Sequence, residues 1–314
     1  MIRTELKVIA VVAVAVLALE GIVRMFASVL DTDRTHIHQF TELIDDLHDQ
    51  PAPRVVFFGN SLMKWGLDLE IATPILSETS GRECHAEKIV PVGTAIVDWI
   101  YLYETYFTET EKHPEAIVVG FVAHHVPDVE ELKIRRLARH FCSSHNIWTC
   151  LGEETDDFEM RALGFCSYHS AIFGDQQELQ LRALSAVIPS YGYGTRTFNG
   201  ILERAAAREQ REDLGGQEPP KTYHRLERFI GLLKEAGVRA YFVPMPQPEV
   251  WPLDPEFVRV VESHGMEIID ARSIESITEE DFYDGYHLGT AEYGQLGAEK
   301  FSKFIAEQLG RRLR

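Results

Sequence analysis

Residues 116–122 read AIVVGFV, an almost continuous apolar run. A strand with no polar face has to be covered on both sides, which points to a parallel sheet with helices on each face. The rest of the chain repeats the theme. Residues 54–59 (RVVFFG), 85–90, 239–243 and 266–270 are further short strand candidates, and helical stretches are expected over 61–77, 95–110, 223–236, 255–264 and 290–309. This alternation predicts an α/β fold: a doubly wound, five-stranded parallel sheet. Over about 126–220 the alternation fails. A large insertion of this kind beside a strand end is expected to serve as a lid or substrate-recognition element. It contains an aromatic–glycine stretch, YGYG at 191–194, and an expected helix rich in Arg and Glu at 202–211.

The N-terminus adds a second constraint. Every residue from 8 to 19 is apolar (VIAVVAVAVLAL), and 21–30 continues mostly so. A span needs about 20 residues, so 8–30 together are long enough to cross a bilayer. Glu20 and Arg24 interrupt the stretch and, four apart, are placed to pair on one helix face. Arg3 and Lys7 precede it, which favours the N-terminus inside and the remainder outside. No small-x-small cleavage site with polar flanks follows. The segment is therefore read as an uncleaved signal anchor rather than a cleaved signal peptide or a buried cytosolic helix. The expected organisation is a transmembrane helix at 1–30, a polar juxtamembrane segment at 31–53 with a helix over 35–49, and an extracytoplasmic α/β domain at 54–314.

The 314 residues carry 31 Lys+Arg against 49 Asp+Glu, a net charge of −18. Such a chain lacks the cations a nucleic-acid binder needs to neutralise phosphates, and broad adsorption to an anionic bilayer is disfavoured as well. Its four cysteines are too few for a disulfide scaffold. Cys142, Cys150 and Cys166 are close enough in sequence for one disulfide outside the cytoplasm, and buried free thiols are the equal alternative. With no CxxC pair, a zinc ribbon is not expected.

Ligands of open parallel sheets bind beyond the carboxyl ends of the strands, and three loops there carry reactive residue types. After the first strand, Gly59-Asn60-Ser61 sets a serine on a tight turn before a helix, whose N-terminus favours nearby negative charge. After the second, Gly93 lets a backbone N–H approach a ligand. Before the last helix, Asp284 precedes His287 by three residues. That spacing allows the carboxylate to orient the imidazole from Nδ1 and leaves Nε2 for a serine hydroxyl. Serine, base and orienter drawn from separate loops suit acyl transfer.

At these residues the sequence resembles the SGNH/GDSL hydrolase superfamily. The matching segments are VVFFGNSLMKWGLD (55–68), PVGTA (91–95) and FYDGYHLGTAEYGQLGAEKF (282–301). The resemblance covers roughly 54–125 and 221–309 and implies the flavodoxin-like fold of that superfamily. It implies Ser61 as nucleophile, His287 as base and Asp284 as its partner. The Ser61 and Gly93 amides are implied oxyanion donors, and Asn60 joins the binding residues beside the nucleophile. The third-block Asn of the family is replaced: Ala123-His124-His125 places His125 there, where a ring N–H would be the donor. The layout, one N-terminal span and an outer catalytic domain, is similar to membrane-anchored SGNH-like proteins that modify cell-envelope polysaccharides.

The reading is thus an extracytoplasmic serine esterase or O-acyltransferase. Its substrate would be an ester-bearing small molecule or polysaccharide, used without cofactor or metal, with a membrane acyltransferase as a possible partner. The alternative is a non-catalytic tethered module that binds glycan or such a partner. Of the remaining features, His124, His125, His140, His145 and His169 lack metal-ligand spacing. Trp99 and the tyrosines of 99–106 read as core. His36 and His38, like Arg135, Arg136 and Arg139, read as solvated surface.

Overall fold

The computed structural model describes residues 2–26, 32–128, 132–188, 190–191 and 221–314. The expected strands form one parallel sheet: β1 (Arg54–Phe58), β2 (His85–Ile89), β3 (Ala116–Phe121), β4 (Arg239–Pro244) and β5 (Glu267–Ile268), in the order β2-β1-β3-β4-β5. β2 is added on one side of β1 and β3 to β5 on the other, so the winding switches between β1 and β3, and Phe58 aligns with Ile89 on one side and Val119 on the other. β3 is buried at every position, as its composition demands. Val55, Phe57, Val118 and Val243 face a layer containing Leu76, Phe301, Ile305 and Leu309. On the opposite face Phe58 meets Phe107 and Phe229, and Phe242 meets Phe257. Trp99, Tyr101 and Tyr103 are fully buried, in keeping with a core role.

Several boundaries differ from expectation for local reasons. The helix expected over 61–77 is two, Ser61–Gly66 and Leu69–Ser80, because Asp68 starts the second by accepting the Glu70 amide at 2.9 Å. The helix expected from 95 runs over Ile96–Tyr103 and loosens into a π-turn at Glu104–Thr108. The last helix begins at Gly297, since the chain first makes a 3₁₀ turn and a left-handed step at Gly294 (φ 73°). β5 has only two residues, pairing Tyr241 with Glu267 and Phe242 with Ile268. The juxtamembrane helix is split into Thr32–His38 and Phe40–His48. His36 is not plain surface: its Nε2 accepts the Val90 amide at 3.3 Å, and its ring lies edge-on to Phe40.

The chain divides into two units. One comprises 36–132 and 222–314 and holds the sheet; the other comprises 1–35 and 133–221. In the second, the helix Ile2–Phe26 contains a stretch, Thr4–Phe26, long and apolar enough to cross a membrane. The expected Glu20–Arg24 pair forms at 2.7 Å. Its carboxylate also accepts from Ser170 Oγ, the Ala171 amide and the Ile172 amide at 2.8, 2.7 and 3.2 Å, while Arg24 donates to the His169 carbonyl at 2.6 Å. These are the facing ends of helices Phe158–His169 and Ala171–Gly174. Further charges fasten the same segments: Asp33 to Arg136 at 2.8 Å, and Arg34 to the buried Asp175 and to Glu178. Arg136 and Arg139 are therefore engaged within this unit, the latter 4.0 Å from Asp175, and do not form a solvated face. All four cysteines are free thiols, with only Cys166 exposed. Residues 27–30 of the apolar segment, Gly192-Tyr193-Gly194 and the helix expected at 202–211 lie outside the described residues.

Two predictions follow from this framework. Gly59 has φ 151°, and a Cβ there would lie 2.8 Å from the Gly120 carbonyl oxygen. Gly59→Ala is expected to cost about 1–3 kcal/mol, more than Gly81→Ala, where a Cβ meets nothing within 4 Å. Thermal unfolding of the detergent-solubilised chain tests the ranking. In the other unit burial pushes His140 down to about 4, against the upward pull of its hydrogen bond to Asp175. Between the ordinary value of 6.5 and about 4, the unfolded chain binds a proton here that the folded unit does not. Stability is thus full above pH 6.5 and falls as pH drops through that window. His140→Gln is expected to flatten this part of the melting-temperature profile.

Candidate active site

The carboxyl end of β1 sets the geometry. Because Gly59 lacks a Cβ, the chain leaves the strand against the Gly120 carbonyl on β3. Asn60 then takes an extended conformation and caps the next helix, its Oδ1 accepting the Leu62 amide at 3.0 Å. Ser61 is consequently the first helical residue, and its own amide has no carbonyl within the helix to bond.

Three loops are tied together behind Ser61. The Asn60 side-chain amide donates to the Thr94 carbonyl at 3.2 Å and lies 3.0 and 3.1 Å from the two ring nitrogens of His125. Thr94 Oγ1 contacts the Gly59 and Pro91 carbonyls and accepts from Trp99 Nε1 at 3.1 Å. His125 Nδ1 accepts the Val122 amide at 3.1 Å, and the His125 carbonyl accepts the Ile96 amide at 2.8 Å. Asn60 and His125 are 1% and 7% exposed. The structure thus brings these two expected binding residues together, with the Asn60 amide committed to Thr94 and His125. The third expected donor, Gly93, lies exposed in a left-handed turn of the β2 loop (φ 66°).

From the far end of the chain, residues 284–287 fold back over Ser61. Asp284 Oδ1 accepts the backbone amides of Tyr286 and His287 at 3.0 and 2.7 Å, a turn aided by Gly285 at φ 77°. Its Oδ2 lies 2.7 Å from His287 Nδ1, and His287 Nε2 lies 3.0 Å from Ser61 Oγ. The carboxylate fixes the proton on Nδ1 and leaves Nε2 to accept from the hydroxyl. Partial burial pushes the Asp284 carboxyl up, but the hydrogen bonds from the His287 ring, the His287 amide and the Tyr286 amide prevail and hold it below its ordinary value. The group is therefore anionic at neutral pH, as an orienter has to be.

Three aromatic residues not singled out in the sequence surround the imidazole. Trp65 is edge-on at 4.7 Å, Tyr286 edge-on at 5.0 Å and Tyr283 stacked at 5.8 Å. Spacing offered a signal for them: Trp65 is four residues after Ser61 on the same helix, and the tyrosines flank His287. Thr94 and Trp99, which brace the loops, gave no such signal. Among the described residues no group of three or more His, Cys, Asp or Glu side chains is placed to hold a metal.

No family model matches this chain, and no curated protein matches it. Solved structures do. A lipase/acylhydrolase from Enterococcus faecalis is similar at 13% identity, over 84% of this chain and 98% of that one, with a TM-score of 0.39. A GDSL-like lipase from Bacteroides thetaiotaomicron is similar at 10% identity, over 88% and 98%, also at 0.39. An α/β hydrolase from the metagenome of Lake Arreo, Spain, is similar at 10% identity, over 84% and 98%, at 0.37. Likenesses this distant leave the chemistry to be read from the site.

The brace behind Ser61 is open to test. His125→Ala leaves the buried Asn60 amide short of a partner and is expected to cost about 1–3 kcal/mol. The measurement is the thermal midpoint of the detergent-solubilised variant.

Proposed function

We propose that this chain is a serine esterase of the SGNH type, held in a membrane by its N-terminal helix with the sheet-bearing unit outside. The observation that carries the reading is the unbroken relay Asp284–His287–Ser61, at 2.7 and 3.0 Å, on the carboxyl end of a parallel sheet. Arg3 and Lys7 before the apolar helix support an inside N-terminus.

In this mechanism Ser61 Oγ attacks the ester carbonyl while its proton passes to His287 Nε2. Asp284 holds Nδ1–H and stabilises the imidazolium. The tetrahedral oxyanion faces the Ser61 amide at the start of the helix, with Gly93 on the adjoining loop as second donor. Collapse expels the alcohol, which takes the proton from His287, and leaves the acyl group on Ser61. Water, or a hydroxyl of a cell-envelope polysaccharide, then attacks the acyl-enzyme. His287 removes the proton of that nucleophile and returns it to Ser61. Water makes the protein a hydrolase and a sugar hydroxyl makes it an O-acyltransferase, for which a membrane acyltransferase is the fitting acyl supplier.

Hydrolysis of p-nitrophenyl acetate by the detergent-solubilised full chain tests the common first half. Ser61→Ala and His287→Ala are each expected to lower kcat by about 10³-fold or more, and Ser61→Ala to abolish fluorophosphonate labelling. Labelling that survives in Ser61→Ala would remove Ser61 as nucleophile. Absence of turnover and labelling in the unaltered chain would leave a tethered binding module instead.

A further inference from the structure

The anchor helix is too short in its clean part. Residues 8–19 are twelve apolar positions, or about 18 Å of helix, against a hydrocarbon core of about 30 Å. With Lys7 at the inner boundary, Glu20 and Arg24 fall inside the apolar layer rather than beyond it. Lipid offers no hydrogen bonds, so charged and backbone polar groups at that depth have to be satisfied by protein. The Glu20 carboxylate is so satisfied: it accepts from Arg24, Ser170 Oγ and the amides of Ala171 and Ile172. Arg24 in turn donates to the His169 carbonyl. The pair thereby also satisfies backbone groups that a helix end leaves open. An exposed ion pair in water contributes little to stability; here the corner encloses Glu20, 17% exposed, while Arg24 is 48% exposed.

Exposed aromatic side chains extend from the same corner. The His169 ring lies edge-on to Phe165 at 4.5 Å, and Phe165 stacks on Trp148 at 5.2 Å. Trp148 is 65% and Phe165 37% exposed, and Phe173, next after the amides that Glu20 binds, is 49% exposed. On the anchor itself, Ile22, Met25 and Phe26 are exposed beside the clasp. Apolar side chains are thus exposed both on the helix and on the insertion beside it, and Trp is a side chain favoured where hydrocarbon meets headgroups.

We infer that the 169–172 corner of the insertion is seated in the leaflet on its own side of the membrane, with Trp148, Phe165 and Phe173 against lipid and the Glu20–Arg24 pair closing the polar groups beneath them. The inference rests on the anchor reading. It makes this corner a lipid-seated contact of the anchor helix, a surface suited to a bilayer rather than to a soluble partner.

The test uses the full chain reconstituted in phosphatidylcholine–phosphatidylglycerol vesicles with or without bromine-labelled acyl chains, a short-range quencher of tryptophan emission. The chain is expected to float with the vesicles, and most of the bromine-dependent quenching is expected to vanish in Trp148→Phe. Adding Phe173→Trp to that variant is expected to restore it, which also shows that the corner still folds. Flotation with the same quenching in Trp148→Phe, and no gain from Phe173→Trp, overturns the inference while leaving the anchor, and assigns the patch to a protein partner. Failure to float removes the anchor reading and the inference with it.

Discussion

The side chain of Asn60 is the tie on which the site depends. Its oxygen starts the helix that carries Ser61, and its nitrogen reaches the loops after β2 and β3. A buried amide with all these contacts is stabilising only while every partner is in place, because each one lost leaves a desolvated polar group. Ser61 is thus placed by a small polar core rather than by its own contacts. Gly59 makes the approach possible, since its missing side chain lets the β1 exit lie against the β3 backbone. His287 then needs to be held only from its own loop, through the two oxygens of Asp284.

This division explains what the sequence discloses. β1, β3 and β4 are legible because strands buried on both faces need runs such as VVFF and AIVVGF, and few other structures tolerate them. β5 is only two residues long, so its apolar run overstated it. The helix interruption at 67–68 was written in Gly66 and Asp68, but within a region of helical spacing the break was masked. Ser61, Asp284 and His287 were legible as motifs, and the structure brings all three together. Asn60 reads locally as a binding residue beside Ser61 and His125 as an oxyanion donor; their mutual contact depends on a pairing 65 residues apart that no local pattern encodes.

The same limit applies to the other unit. The i,i+4 spacing of Glu20 and Arg24 disclosed their pairing, but their further partners lie some 150 positions away, at the meeting of two helix ends. Likewise Arg136 and Arg139 had the spacing of a solvated face, yet their counter-charges come from Asp33 and Asp175. Charges read along one helix report which neighbours are possible; only the fold decides which ones are used.

The clasp between residues 20–24 and 169–172 also imposes an order on biosynthesis. The helix Ile2–Phe26 emerges first, yet the Ser170 hydroxyl and the Ala171 and Ile172 amides that hydrogen-bond Glu20, and the His169 carbonyl that accepts from Arg24, are made only after the whole of β1 to β3 has been translated. In the interval Glu20 and Arg24 have only each other. The insertion, for its part, completes its corner only with residues from the N-terminal helix. Shortening the chain from its N-terminus would therefore open two helix ends inside the insertion.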